Sequence, residues 1–165
     1  MRQELRVKEV MFDELETFEH TNCKPLTVPI AVEAKTRRIL TVGVGQIAAK
    51  GHLAAISRKK YGRRPCARSK VLLKMAEELS ECVSPQATIA TDESPHYPAL
   101  VAKYFPKAKH MRTKGRRGAT VGQGELKERG YDPLFSLNHT YAMFRDNLKT
   151  LSRRTWCTTK KPAML

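Results

Sequence analysis

The sequence predicts an α/β domain built on a mixed sheet, and three observations carry that reading. Three β-rich segments crowd the first third of the chain, separated by short polar turns. Two stretches of clear helical period follow, and short strand-like runs are interleaved with them. The resulting order is three strands, helix, strand, helix, strand and a long final helix.

The first strand is "VKEVMFDELETF" (7–18), whose alternation puts Asp13 on the same side as Met11 and Leu15. A carboxylate on an apolar face calls for an explanation. "PLTVPIAV" (25–32) is the second strand, closed by the polar turn "EAKTRR", and "RILTVGVGQI" (38–47) is the third. Their close spacing makes the three an antiparallel meander. Pro29 inside the second strand, lacking an N–H, argues for an edge position or a bulge there. "GHLAAISRKKYGRRPCARSK" (51–70) turns basic, with a short helix at its start and a loop after it. "SKVLLKMAEELSECV" (69–83) brings Val71, Leu72, Met75, Leu79 and Cys82 to one side of a helix, with Ser69 as its expected N-cap. After "SPQ", expected to be a loop, "ATIATDESPHY" reads as a short apolar strand ending in a carboxylate and a turn. "PALVAKYFP" opens with proline and reads as a short helix, and "AKHMRT" as one more strand. Residues 113–131 hold several glycines and no sustained period, the pattern of a basic, mobile surface loop. From "DPLFSLNH" to about Trp156, Leu134, Leu137, Tyr141, Phe144, Leu148 and Leu151 recur at steps of three and four, which predicts one long amphipathic helix.

Length and composition bound the function. At 165 residues and 18.7 kDa the chain is expected to form a single domain over 1–165, with 41% apolar residues to build a core. No apolar run approaches the roughly 20 residues that span a bilayer, and "MRQELRVKEV" has no hydrophobic signal core, so the expected location is cytoplasmic, associated with the nucleoid. The four cysteines form no C-x-x-C pair, which favours reduced thiols over a zinc site or disulfide framework. The net charge is +15, unevenly spread: residues 1–50 carry +1, residues 51–84 carry +5 and residues 113–165 carry +7. Such a field favours a polyanion, nucleic acid being the commonest.

The polar residues that interrupt the apolar pattern are the candidate chemistry. Asp13 lies mid-strand; Asp92 ends the strand "TIAT". In α/β sheets ligands gather at strand ends, because helices cover the faces. Two close carboxylates in a partly dry site repel, unless a proton or a cation intervenes, and Mg2+ prefers oxygen ligands of this kind. On the last helix Asn138 borders the apolar stripe, and Arg145, seven residues on, lies on the same side. Each residue also has a plainer reading: Asp92 as a turn residue in "DESP", Asn138 as a polar residue of a helix N-terminus, Asp13 as an early strand end. His96 and His139, near the same place, read as orienting or incidental groups.

Taken together, "FDELETF" around Asp13, "IATDESPHYPAL" around Asp92 and "FSLNHTYAMFRDNLKTLSRRTWCTTKKP" near the end resemble the catalytic domains of bacterial insertion-sequence transposases of the DDE type. The resemblance covers nearly the whole chain, and the final segment is its most specific part. It implies a ribonuclease-H-like fold, with the meander extended by parallel strands and flanked by helices. It further implies two-metal phosphoryl transfer on DNA, using two Mg2+ (or Mn2+) ions held by Asp13, Asp92 and Asn138 as the catalytic triad. Asn138 stands where many relatives carry a third carboxylate; alignment on "NH" would instead place that position at Tyr141, and Asn138 is preferred because a phenol is no ordinary Mg2+ ligand. Arg145, Lys149, Arg153 and Arg154 would hold phosphates beside the site. Lys114, Arg116 and Arg117 would follow the DNA backbone, as would Arg58, Lys59, Lys60, Arg63 and Arg64 from another side. The partners implied are element ends and target DNA, a homo-oligomer assembled on that DNA, and a separate chain that recognises the ends, since the N-terminal DNA-binding domain of many relatives is expected to be absent. A non-catalytic remnant that binds DNA, and a basic RNA-binding protein, are the competing classes.

Overall fold

Alternation governs the first strand, and the packing on its two sides shows why. In the computed structural model, which describes residues 6–114, 126–127, 130–152 and 161–165, β1 (Val7–Phe18) sends Val10 and Phe12 into one apolar cluster and Met11 and Leu15 into another. With a side-chain period of two, Asp13 belongs to the face of Met11 and Leu15. β2 (Pro25–Glu33) runs antiparallel to β1, pairing Asp13 with Ile30 and Leu15 with Val28. β3 (Ile39–Val42) and β4 (Gly45–Gln46) both pair antiparallel with β2. On the other side of β1, β5 (Val83–Asp92) runs parallel, and β6 (Lys109–Thr113) runs parallel to β5. The order β3-β2-β1-β5-β6, with β4 beside β2, is a mixed α/β sheet in the ribonuclease-H-like arrangement.

Helices cover both faces. Leu72, Met75, Ala76 and Leu79 of α2 (Arg68–Cys82) and Tyr97, Leu100 and Val101 of α3 (Tyr97–Tyr104) close over Val10, Phe12 and Ile89. The opposite face is closed by Leu137 and Tyr141 of α4 (Phe135–Asn147) and by Leu151, against Leu15, Val28, Ile30 and Val32. α1 (Leu53–Tyr61) is tied to the β1–β2 connection by Ser57 Oγ donating to the Cys23 carbonyl at 2.6 Å. No helix among the described residues is long and apolar enough to cross a membrane.

Pro29 resolves differently from the sequence expectation. β2 is an interior strand. The Gly43 N–H donates to the Pro29 carbonyl at 2.9 Å, so the missing Pro29 N–H points the same way. That is where the third strand breaks between β3 and β4, so no ladder bond is lost. The break is also where α2 comes closest. A Cβ at Gly43 would lie 2.5 Å from Val71 Cγ1, and one at Gly45 would lie 2.7 Å from Val71 Cγ2. A stiff β-branched neighbour cannot swing aside cheaply.

Other boundaries shifted for identifiable reasons. β5 begins at Val83 and takes in "SPQ"; between Val7↔Val83 and Glu9↔Thr88 the register slips, and that bulge accommodates Pro85. Ser69 does not cap α2. The helix starts at Arg68 after Ala67, whose N–H is held by the Gln46 carbonyl at 2.8 Å, so the sheet rather than a side chain fixes the start. The long terminal helix stops at Asn147, and a 3-10 turn (Lys149–Leu151) folds Leu151 back into the core while leaving Leu148 exposed. The glycine-rich stretch contains a two-stranded ribbon, β7 (Leu126–Lys127) with β8 (Gly130–Tyr131).

Gly43→Ala is expected to destabilise the protein by about 1–3 kcal/mol, with much of the loss recovered in the Gly43→Ala/Val71→Ala double variant. Denaturant unfolding of the three variants checks this; simple additivity of the two losses would contradict the close-approach account.

Candidate active site

Register builds this site. The parallel pairing of β1 and β5 includes Met11↔Ala90. Asp13 and Asp92 each lie two residues further along their strands, at matching positions on adjacent strands and on the face that α4 covers. Neighbouring strands lie about 4.8 Å apart, so the two carboxylates are close neighbours at the C-terminal end of the parallel pair.

Asp13 is anchored through one oxygen. Its Oδ1 accepts from the Glu14 N–H at 2.7 Å and from the Tyr97 hydroxyl at 2.9 Å, and neither bond occupies Oδ2. Tyr97 is fully buried and packs edge-on against Phe12, with ring centroids 5.1 Å apart. Burial, and then the nearby Asp92 charge, push the Asp13 carboxyl up to about 6, although both hydrogen bonds pull the other way. Burial and the Asp13 charge push the Tyr97 hydroxyl far above its ordinary range, so it remains a donor. Asp92 also makes a turn: its Oδ1 accepts from the Ser94 N–H at 2.8 Å. The plain reading of "DESP" therefore holds alongside the placement beside Asp13.

Asn138 lies on α4, where its Nδ2 donates to Asp132 Oδ2 at 2.7 Å, while the Leu134 N–H donates to Asp132 Oδ1 at 3.1 Å. The buried Asp132 thus organises the start of α4. One edge of this helix is spoken for: Ser136 Oγ donates to the Ala34 carbonyl, and His139 lies against Arg37 at the β2–β3 turn. At 100° per residue, Asn138, Tyr141 and Arg145 fall on the opposite edge, and Tyr141 packs against Leu15 of β1 and Val28, Ile30 and Val32 of β2. Among the described residues no three His, Cys, Asp or Glu side chains are grouped to hold a metal ion, so a cation here would rest on two carboxylates and non-acidic oxygens.

The basic residues divide. Arg64 is claimed by Glu19 at 2.9 Å and is only 9% exposed. Arg68 joins Glu14 at 3.1 Å and Glu16 at 2.6 Å, with His96 3.3 Å from its other nitrogen. Arg68 thereby neutralises the acidic side of β1 that faces away from Asp13, and Arg64 a carboxylate just past the end of that strand. His96 and His139 are accounted for by arginine contacts. Arg58, Lys59, Lys60, Arg63, Lys114 and Lys149 are exposed, and Arg145 is half-buried. Arg116, Arg117, Arg153 and Arg154 lie outside the described residues. Sequence reasoning missed Tyr97, Asp132 and the structural role of Arg68. Only Tyr97 left a trace, as the aromatic residue opening the helix just after "DESPH".

No protein-family model and no curated protein matches the chain. Among solved structures it is similar to a chain of the simian T-cell lymphotropic virus intasome in complex with PP2A regulatory subunit B56 gamma, at 15% identity and a TM-score of 0.40, covering 100% of this chain and 56% of that one. The chain thus spans about half the length of that protein. Likeness at this level assigns neither family nor activity.

Two outcomes test the geometry. The folded protein keeps a proton on Asp13 up to about 6, whereas the unfolded chain releases it near 3.8, so this carboxylate weighs against folding increasingly as pH rises between those values. Asp13→Asn is therefore expected to stabilise the metal-free protein by up to about 3 kcal/mol above pH 6 and hardly at all near pH 4, as measured by thermal unfolding across pH. Asn138→Asp would set a carboxylate where Asp132 now accepts the amide. It is expected to cost about 1–3 kcal/mol at neutral pH and less in acid, read by urea unfolding at both pH values; equal losses would rule out charge repulsion as the cause.

Proposed function

We propose that this chain is the catalytic core of a DNA transposase, cutting and joining DNA strands by metal-dependent phosphoryl transfer. The observation that supports the reading is the pair Asp13 and Asp92, at matching positions on adjacent parallel strands. Left alone, the pair is an electrostatic conflict that only a proton or a cation relieves. The residues fit a divalent cation: Asp13 offers Oδ2, Asp92 offers its second oxygen, and the Asn138 carbonyl oxygen remains outside its bond to Asp132. Mg2+ or Mn2+ ions bound there would supply an activated water or DNA 3′-hydroxyl and a stabilised leaving oxygen.

The chain's own contribution is positioning. Tyr97 and the Glu14 N–H fix the Asp13 carboxylate, and the β1–β5 register fixes its distance from Asp92. Arg145 and Lys149 on the α4 side, with Arg153 and Arg154 after them, would hold phosphates. Lys114, Arg116 and Arg117 would follow the backbone beyond β6. In this reading the working form is a homo-oligomer on DNA.

A second reading, a remnant that binds DNA without cutting it, is favoured by one observation: the Asn138 amide is committed to Asp132, and a neutral ligand holds a second ion less firmly than a carboxylate would. Incubating the purified chain with terminal-repeat DNA and Mg2+ or Mn2+ separates the two. Cleavage or joining is expected, falling to background in Asp13→Ala and in Asp92→Ala. DNA binding with no metal-dependent chemistry would establish the remnant. Binding indifferent to both aspartates and to metal would point to a basic RNA-binding protein.

A further inference from the structure

One polar atom in the interior of α4 is unexplained by packing. The Tyr141 hydroxyl is sealed from solvent and has no hydrogen-bond partner among the described residues. Its ring packs in an aliphatic cluster with Leu15, Val28, Ile30, Val32 and Leu137, where phenylalanine would fill the same space. A buried hydroxyl left unsatisfied weighs against folding, so its presence calls for a partner that the described residues do not supply.

Its position says where that partner arrives. Tyr141 lies on the edge of α4 shared with Asn138 and Arg145, turned away from Ser136 and His139, and packs against Leu15 of β1 and Val28, Ile30 and Val32 of β2. Leu15, its neighbour in the cluster, is on the same face of β1 as Asp13. Burial, then the charges of Asp13, Glu14 and Asp92, hold the phenol well above its ordinary range, with Arg145 acting in the opposite sense. The group is therefore a neutral hydroxyl, able to donate, in the field of the carboxylate pair.

We propose that the Tyr141 hydroxyl is a ligand-binding group of this site, hydrogen-bonding an oxygen carried by a cation seated between Asp13 and Asp92, whether that oxygen belongs to water or to a DNA phosphate. This rests on the active-site reading above and adds a residue to it. Tyr141 is no metal ligand here. It engages what the metal carries, and that bond satisfies the hydroxyl.

The substitution Tyr141→Phe tests this, because the proposal requires two effects of opposite sign. Without ligand, the full-length variant should melt roughly 2–5 °C higher than the wild type, since an unsatisfied buried polar group has been removed. With ligand, it should bind about tenfold more weakly. Mn2+ alone, measured by isothermal titration and by the shift in melting temperature, reads the water case. Mn2+ with a duplex oligonucleotide reads the phosphate case, and loss of affinity in that arm alone assigns the partner as phosphate. A lower melting temperature for the ligand-free variant, or unchanged affinity in both arms, overturns the proposal. Asp13→Asn/Asp92→Asn is the control: if the wild type gains nothing from Mn2+ that this variant lacks, the active-site reading falls and this inference with it. If that gain is present and Tyr141→Phe retains it in full, only the inference falls.

Discussion

Two like charges held side by side are the constraint around which this protein is arranged. Parallel pairing of β1 with β5 leaves Asp13 and Asp92 no freedom to separate, since backbone hydrogen bonds on both sides of each strand fix the register. The surroundings then sharpen the conflict. Burial takes water from Asp13, and Tyr97 pins its Oδ1. A fold that only needed stability would place an amide or an aliphatic side chain here.

The acidic residues that follow Asp13 along β1 are treated in the opposite way. Glu14 and Glu16 meet Arg68, and just past the end of the strand Glu19 meets Arg64. Glu14 also accepts from the Thr27 hydroxyl at 2.6 Å. Those bonds tie the start of α2 to the sheet, and they consume cations that a count of charges would assign to the surface. Within one strand, then, alternate positions separate structural carboxylates, each met by arginine, from one that is met by another carboxylate. Like charge beside like charge is the pattern associated with functional sites.

Much of this was legible in the residues. The periods of two in β1 and of three and four in α2 and α4 gave the elements, because amphipathic patterning records which face is buried. The α/β class followed from their order. Asp13 and Asp92 stood out because each breaks an apolar pattern at a strand position. What could not be read depends on contacts between distant segments. Pro29 was misplaced because its tolerance depends on a gap in a neighbouring strand. Ser69 lost its capping role because Gln46, far along the chain, holds the helix start. Asp132 and Asn138 gave no sign of each other, since a six-residue spacing spans a turn and the start of a helix. Exposure misled as well: the three-and-four period included Leu148, which the chain leaves outside when it bends after Asn147.

The interruption at Gly43 has a consequence beyond close packing. β3 and β4 form the outer rim of the sheet on that side, with four and two residues and a gap between them. An uninterrupted rim strand offers an incoming chain a continuous ladder of unpaired amides and carbonyls, which is how sheets polymerise edge to edge. Here the template is too short and too broken to extend, so the same glycine that lets a helix approach also guards the border of the sheet against self-association.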